Sequence, residues 1–145
     1  MQMTLRWYGS KFDTVTLEQI RQIPGVTGVI TTLYDTSPGE IWSRQRIHEL
    51  KEEVEATGLT IAGIESVNVS DNIKIGTQQR EEDIEHYIET LRHLGQEDIH
   101  LVCYNFMPVF DWTRTELARK RPDGSTVLAY TQEAVDSLEP EKMFE

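Results

Sequence analysis

The sequence has one cysteine, few basic residues and no long apolar run, and each shortage excludes a class of protein. A single cysteine in 145 residues cannot build a disulfide framework within the chain and is typical of a reducing compartment. Fourteen lysines and arginines against 25 aspartates and glutamates give a net charge of −11, without the basic surface of a nucleic-acid binder. No apolar run approaches the roughly 20 residues of a membrane span, and the first residues lack a signal-peptide core. We therefore expect a cytoplasmic protein that binds neither nucleic acid nor membrane.

The chain also lacks the local patterns of nucleotide, zinc and nucleophile sites. Residues 7–10, Trp-Tyr-Gly-Ser, follow the first predicted strand and match neither G-x-G-x-x-G nor a P-loop. No pair of histidines has the spacing of a zinc site, and we expect those on helical segments to be exposed: His48, His86 and His93. Cys103 ends an apolar strand, which predicts a small packed thiol and not a nucleophile. No metal site is predicted within this chain.

Short apolar runs alternate with amphipathic ones as far as residue 103. The apolar runs predict four strands, at residues 5–8, 26–33, 59–64 and 98–103. Thr16 and Ser43 are typical helix N-caps, and residues 82–94 form a third helix by their period. That period predicts one apolar face on the third helix, formed by Ile84, Tyr87, Ile88, Leu91 and Leu94. The order β-α-β-α-β-α-β predicts a parallel sheet with right-handed crossovers.

The strand count fits two architectures. Four β-α steps are half of an eight-stranded barrel, which takes about 250 residues, and a small open sheet needs only about five strands. Residues 65–78 are predicted to form a polar loop. After residue 114 the alternation stops: residues 116–124 are charged and turn-rich, residues 127–130 predict a short strand, and residues 131–138 predict a short helix.

Polar and aromatic groups follow the predicted strands. Because the carboxyl ends of parallel strands converge on one face, they are candidates for a ligand site. Glu65 directly follows the apolar run 61–64, where a carboxylate would be partly desolvated and could bind sugar hydroxyls or a metal; pairing with Arg6 or a loop amide is the alternative. Residues 101–114 carry further polar groups, although a packed loop with buried aromatic rings would explain them equally. The substrate-binding candidates are Trp7, Tyr8, Glu65, Asn105, Trp112 and Arg114.

Five blocks of this sequence closely resemble the D-mannonate dehydratase family. They are residues 6–9 (Arg-Trp-Tyr-Gly), 38–42 (Pro-Gly-Glu-Ile-Trp), 65–67 (Glu-Ser-Val), 102–109 (Val-Cys-Tyr-Asn-Phe-Met-Pro-Val) and 111–117 (Asp-Trp-Thr-Arg-Thr-Glu-Leu). The resemblance runs in the same order with similar gaps from about residue 4 to residue 130. Residues 122–125, Pro-Asp-Gly-Ser, also fit a hairpin of that family.

The resemblance implies a lyase of hexuronate catabolism that removes water from D-mannonate to give 2-dehydro-3-deoxy-D-gluconate. It implies a TIM (β/α)8 barrel of the xylose-isomerase-like group and the use of Mn²⁺ or Fe²⁺. Members of the family are more than twice this long, and their metal ligands and general acid and base lie on later strands. Nothing in this sequence matches those ligands, so the catalytic residues are expected in the C-terminal half.

These implications give a specific expectation for the chain. It should be the N-terminal half of the barrel, with four parallel strands and intervening helices in residues 1–114 and a loop, hairpin and tail in residues 115–145. We expect this fragment to be inactive alone and to associate with the missing half or to form a homo-oligomer. The alternatives are a non-catalytic sugar-acid-binding or interaction module and a small complete open-sheet α/β protein.

Overall fold

The computed structural model describes residues 1–107 and 114–137, and the chain divides into two compact units, Met1–Phe106 and Met107–Glu145. The elements of the first unit are β1 (Met3–Arg6), α1 (Leu17–Arg21), β2 (Val26–Thr31), α2 (Arg44–Glu55), β3 (Thr60–Asn68), α3 (Asp71–Ile75), α4 (Arg80–Gln96) and β4 (Val102–Asn105). Those of the second unit are β5 (Glu116–Lys120), β6 (Thr126–Ala129) and α5 (Gln132–Asp136). No helix among the described residues is both long and apolar enough to cross a membrane.

The first unit is built on one parallel sheet whose strands follow in chain order, β1-β2-β3-β4. Arg6 pairs with Ile30 between β1 and β2, and Asn68 pairs with Asn105 between β3 and β4. Helices separate the strands, because parallel neighbours need a crossover connection. The predicted fold class, four parallel strands with intervening helices as in the N-terminal half of a barrel, is confirmed.

Local signals in the sequence start and stop the helices as predicted. Thr16 and Gln19 form a capping box at the start of α1. Ser43 caps α2 by accepting a hydrogen bond from the backbone N–H of Arg46. Gly58 follows α2 with φ of +80°, a left-handed conformation in which only glycine avoids strain.

Several predicted boundaries are wrong. β1 was predicted at residues 5–8 and is Met3–Arg6, and β2 ends at Thr31 and not at residue 33. β3 continues to Asn68 where residues 65–78 were predicted to be a loop, because Val67 and Asn68 pair with Tyr104 and Asn105 of β4 and Val67 is buried. Ser70 caps the short helix α3 in the same segment. β4, the last strand of the first unit, begins at Val102 and not at residue 98.

One face of the sheet packs against the helices and forms the core. The buried apolar residues at its centre are Val29 of β2, Ile64 of β3, Ile47 and Val54 of α2, and Leu94 of α4. Because side chains alternate along a strand, the neighbours of Val29 and Ile64 point to the opposite face, which no helix of the first unit covers.

The prediction of a buried thiol at Cys103 is wrong. Cys103 is exposed, while its neighbour Val102 packs against the core. Cys103 pairs with Glu65, so both side chains lie on the face of the sheet away from the helices. Leu101 beside it is also exposed.

The second unit contains a hairpin. β5 and β6 pair antiparallel, and Gly124 in the turn has φ of +84°. Asp123 supports the turn by accepting hydrogen bonds from the backbone N–H and the hydroxyl of Ser125. The hairpin at residues 122–125 agrees with the family resemblance. The strand predicted at 127–130 is β6, and the helix predicted at 131–138 is the shorter α5.

Glu97 joins α2 to the end of α4. Its buried carboxylate lies 2.5 Å from Nε of Arg44 and 2.9 Å from Nδ1 of His48, and Lys51 donates to its backbone carbonyl at 2.8 Å. The hydrogen bond from Arg44, then that from His48, lowers the pKa of Glu97. The same carboxylate raises the pKa of His48 above the ordinary 6.5.

We expect His48→Gln to lower the free energy of unfolding most in mildly acidic solution. The lowered pKa of Glu97 contributes stability above the ordinary carboxyl value of 4.5, and this is lost as pH falls through the folded-state pKa. The raised pKa of His48 contributes stability below 6.5, lost as pH rises through its own folded-state pKa. Urea unfolding at pH 5.5 and pH 9 measures the difference, with the exposed His100→Gln as control. An equal loss at both pH values would contradict the role of the ion pair.

Candidate functional site

The carboxyl end of β1 carries a cluster of one arginine and two tyrosines. Arg6 Nη2 donates a hydrogen bond of 2.9 Å to the hydroxyl of Tyr34, in the loop after β2. The Arg6 guanidinium also lies 5.0 Å from the centre of the Tyr8 ring, a cation–π distance. Phe12 packs against Tyr34 with ring centres 5.3 Å apart. These contacts hold a cation in one place at the edge where the strands end.

Tyr34 stays protonated in this cluster. Partial burial raises the pKa of its hydroxyl above the ordinary 10.0, and the nearby Arg6 only partly offsets this effect. The hydroxyl therefore accepts the hydrogen bond of Arg6 and keeps its own proton to donate. Asp13 fixes the neighbouring loop by accepting hydrogen bonds from the backbone N–H groups of Tyr8 and Val15.

Glu65 lies within β3, where a partly desolvated carboxylate was predicted, and it is more exposed than that prediction implies. Its side chain is 56% exposed, because the face of the sheet on which it lies is not covered. Oε2 of Glu65 is 3.8 Å from Nη1 of Arg6, so the pairing with Arg6 that was weighed as an alternative is present. The contact reaches across β2, which places both side chains on the face away from the helices.

The structure brings some of the predicted substrate-binding residues together and separates others. Tyr8 is half exposed beside Arg6, and Arg6 links it to Glu65. Asn105 ends β4 and is paired with Asn68, three residues beyond Glu65. Trp7, in contrast, is 2% exposed and belongs to the hydrophobic core.

Two further predicted residues lie outside the first unit. Arg114 lies in the second unit and is half-buried, and Trp112 lies outside the described residues. For all six residues a substrate contact stays a prediction. Sequence reasoning weighed Arg6 only as a partner of Glu65 and missed Tyr34. The position of Tyr34 after β2, just before Asp35, was the signal in the sequence that could have identified it.

A polar face of α4 holds the loop between β2 and α2. Thr90 accepts a hydrogen bond from the backbone N–H of Trp42, and His93 Nδ1 lies 2.7 Å from the carbonyl oxygen of Trp42. His86 Nδ1 lies 2.8 Å from the carbonyl oxygen of Gly39. These contacts explain why His86 and His93 are half-buried, so the prediction that they are exposed is wrong. His48, by contrast, is 54% exposed as predicted.

Asp83 completes this face and holds the turn that follows β3, next to the same loop. Its buried carboxylate accepts hydrogen bonds of 2.5 Å from the Ser70 hydroxyl and 2.9 Å from the Asn72 amide. These bonds, that of Ser70 first, lower the pKa of Asp83. Gly39 passes so close that a Cβ atom there would lie 3.1 Å from the Asp83 carboxylate.

The apolar face predicted for this helix is therefore wrong in part. Leu94 is buried, but Leu91 is exposed and Ile84 and Ile88 are only half-buried. The buried line instead includes the polar Asp83 and Thr90. A cavity of about 20 Å³, room for one water molecule, lies beside it. We infer that the polar face supports the loop and leaves little room for a ligand.

The described residues do not fit a metal ion. Among residues 1–107 and 114–137, no three histidine, cysteine or carboxylate side chains lie close enough together to hold one. A catalytic metal needs about three protein ligands and an open position. The strand-end cluster therefore offers hydrogen-bonding groups and one fixed cation.

We expect Asp83→Ala to destabilise the protein by about 1–3 kcal/mol, because the buried Ser70 hydroxyl and the half-buried Asn72 amide lose their acceptor. Hydrogen exchange of backbone amides in residues 36–42 should also become faster, since Gly39 lies against the Asp83 side chain. Urea unfolding and exchange mass spectrometry measure the two effects. Glu85→Ala, an exposed carboxylate on the same helix, is the control and should change neither. Unchanged exchange in the loop of Asp83→Ala would contradict the role of this face.

Comparison with known proteins agrees with this geometry. The family model described as D-mannonate dehydratase (UxuA) matches residues 1–145. A mannonate dehydratase of Brachyspira hyodysenteriae is 63% identical over 145 residues, which are 100% of this chain and 41% of that protein. One of Thermotoga maritima is 50% identical over 143 residues, 99% of this chain and 40% of that protein.

A solved structure shows the same fold. The crystal structure of mannonate dehydratase from Streptococcus suis serotype 2 superposes with a TM-score of 0.90 at 47% identity. The match covers 99% of this chain and 41% of that one. The chain thus spans about 40% of the length of the relatives it matches. Because the family model matches it from end to end, the chain belongs to the D-mannonate dehydratase (UxuA) family.

Proposed function

We propose that this chain supplies one half of the substrate pocket of a hydro-lyase that converts D-mannonate to 2-dehydro-3-deoxy-D-gluconate. The observation that carries the proposal is the family match over residues 1–145, together with 63% identity to a mannonate dehydratase. The strand-end cluster of Arg6, Tyr8 and Glu65 supports it, since a sugar acid needs both a cation and hydrogen-bonding groups.

The reaction sets the tasks of the pocket. A base removes the proton on C2, next to the carboxylate, and the C3 hydroxyl leaves with a proton as water. The resulting enol becomes the 2-keto acid. Residues of this chain bind and orient the substrate in our proposal: Glu65 accepts hydrogen bonds from hydroxyls, and the amide of Asn105 pairs with hydroxyl groups. Tyr8 offers a ring face and a hydroxyl. The general acid and base belong to the rest of the family chain.

The metal implied by the family resemblance, Mn²⁺ or Fe²⁺, remains part of the proposal for the longer chain. The described residues here do not fit it, so no step is derived through it in this segment. We further propose that the remaining strands continue the sheet beyond its edge strands β1 and β4 and close it into a TIM barrel, in the cytoplasm. Exposed apolar side chains on and beside the edge strands support such a partner: Met3, Leu5, Leu101, Tyr104 and Phe106. A homo-oligomer would cover them too.

Turnover tests the proposal directly. A full-length chain that carries this segment should convert D-mannonate to the 2-keto acid in the presence of Mn²⁺, and a chelator should stop it. The 145-residue chain alone should show no turnover, because its described residues offer no metal site. Mixing it with the separately produced remainder should restore activity. Full-length protein that binds D-mannonate without dehydrating it would instead favour a non-catalytic sugar-acid-binding module.

Two substitutions test the strand-end residues. In the full-length chain, Glu65→Gln and Asn105→Ala should each lower kcat/KM by about tenfold or more, because each removes a hydrogen bond to the substrate. The melting temperature should change little for Glu65→Gln, since this side chain is 56% exposed. Glu53→Gln makes the same chemical change on an exposed face of α2 and serves as control. Wild-type kcat/KM in both variants would show that the strand-end assignment is wrong.

A further inference from the structure

Arg6 has an unusual environment for an arginine in an acidic protein. Its side chain is 25% exposed, and two tyrosines fix the guanidinium. Nη2 is occupied by the hydroxyl of Tyr34, and the ring of Tyr8 lies over the group. An arginine fixed this way loses little further freedom when it binds an anion, because its planar fork is already oriented.

One nitrogen of this guanidinium is buried and lacks a hydrogen-bond partner among the described residues. This nitrogen is Nη1, and the nearest carboxylate oxygen, Oε2 of Glu65, lies 3.8 Å away, beyond hydrogen-bonding distance. A buried N–H group without an acceptor is unfavourable, so native proteins rarely keep one without a reason.

Arg46, in the first turn of α2, shows the contrast. Arg46 lies close to Asp35, which follows β2, and both Nε and Nη2 donate to one Asp35 oxygen, at 3.1 and 2.9 Å. Its Nη1 lies 3.4 Å from Glu49. The hydrogen-bond donors of Arg46 are therefore already paired with carboxylates of the protein. At Arg6 the carboxylate of Glu65 stays outside hydrogen-bonding distance and is 56% exposed, so water screens its charge.

The position of Arg6 points toward the pocket. It is the last residue of β1 and pairs with Ile30, whose neighbours Val29 and Thr31 are buried. Alternation along the strands therefore places Arg6 on the face away from the helices, the face that also carries Glu65. At the carboxyl end of a parallel sheet, this is where ligands bind.

We propose that Arg6 binds the carboxylate of the sugar acid through Nη1, with Tyr8 and Tyr34 as positioning residues. The proposal rests on the proposed function in that the ligand is an aldonate. Binding fills the hydrogen-bonding capacity of Nη1 and places the carboxylate at the end of β1. The hydroxyl groups of the ligand then extend toward Glu65, which accepts their hydrogen bonds. Arg6 acts as a specificity-determining residue that distinguishes an acid from a neutral polyol.

Two probes that differ in charge test this role in the full-length chain: D-gluconate, an aldonate, and D-glucitol, the corresponding neutral polyol. Calorimetry should show D-gluconate binding at least about tenfold more tightly, since a charge-assisted hydrogen bond is lost with D-glucitol. Arg6→Gln should weaken the binding of D-gluconate by about tenfold or more and leave the affinity for D-glucitol within about twofold of the wild-type value. Tyr34→Phe should weaken the binding of D-gluconate by a smaller factor, because Arg6 loses the hydrogen bond to the Tyr34 hydroxyl that orients it. Arg92→Gln, on the surface of α4, is the control.

Kinetics gives a second readout. Arg6→Lys keeps the positive charge but loses the planar fork, so KM for D-mannonate should rise while the fold is retained, as followed by circular dichroism. If Arg6→Gln does not fold, Arg6→Lys decides: an unchanged ratio of the two probe affinities overturns the proposal. Equal affinity of the wild-type protein for both probes overturns it even if D-mannonate is dehydrated. Preference for D-gluconate that depends on Arg6, without dehydration of D-mannonate, supports the role of Arg6 and rejects the proposed function.

Discussion

The parallel pairing of β2 with β3, buried on one face under α2 and α4, is the constraint on which the site depends. Val29 and Ile64 are fully buried against the helices. Since a strand alternates its side chains, burying these two residues directs Ile30 and Glu65 to the opposite face. Parallel direction then brings the ends of all four strands to one edge. The contact between Arg6 and Glu65 across β2 follows from this arrangement. No local sequence motif encodes it.

The loops at that edge are held by polar groups on a helix, at a cost in apolar burial. An amphipathic helix of this length would stabilise the core most by burying only apolar residues. α4 instead buries Asp83 and Thr90 and half-buries two histidines, which bind the backbone of the loop after β2. Buried polar groups are favourable only when their partners are in place, so this face fixes one conformation of the loop. A pocket whose walls are loops needs such support, because loops carry few contacts of their own.

Most of the fold was predictable from the sequence, because strands, caps and turns leave local signals. The capping box at Thr16 and the N-cap at Ser43 are read from neighbouring residues, and both are present. The failures share a different cause, since each depends on residues distant in sequence. The exposure of Cys103 depends on which face of the sheet the helices cover, and the extension of β3 to Asn68 depends on pairing with β4. For the site, sequence reasoning identified the strand ends but could not show that Tyr34 approaches Arg6.

The division between binding and chemistry that we propose for this fold has a physical basis. The first four strands place a fixed cation, a carboxylate and amides at one edge, which are groups that recognise hydroxyls and a carboxylate. Abstraction of a proton next to a carboxylate requires more, because negative charge accumulates on the substrate and must be stabilised where it develops. One arginine whose charge is partly offset by Glu65 at 3.8 Å provides orientation and limited stabilisation. The groups that complete the reaction must therefore converge on the same edge from the other strands of the barrel that we propose. In our proposal, the arginine at the end of the first strand positions the carboxylate of the substrate so that the proton on C2 faces those groups.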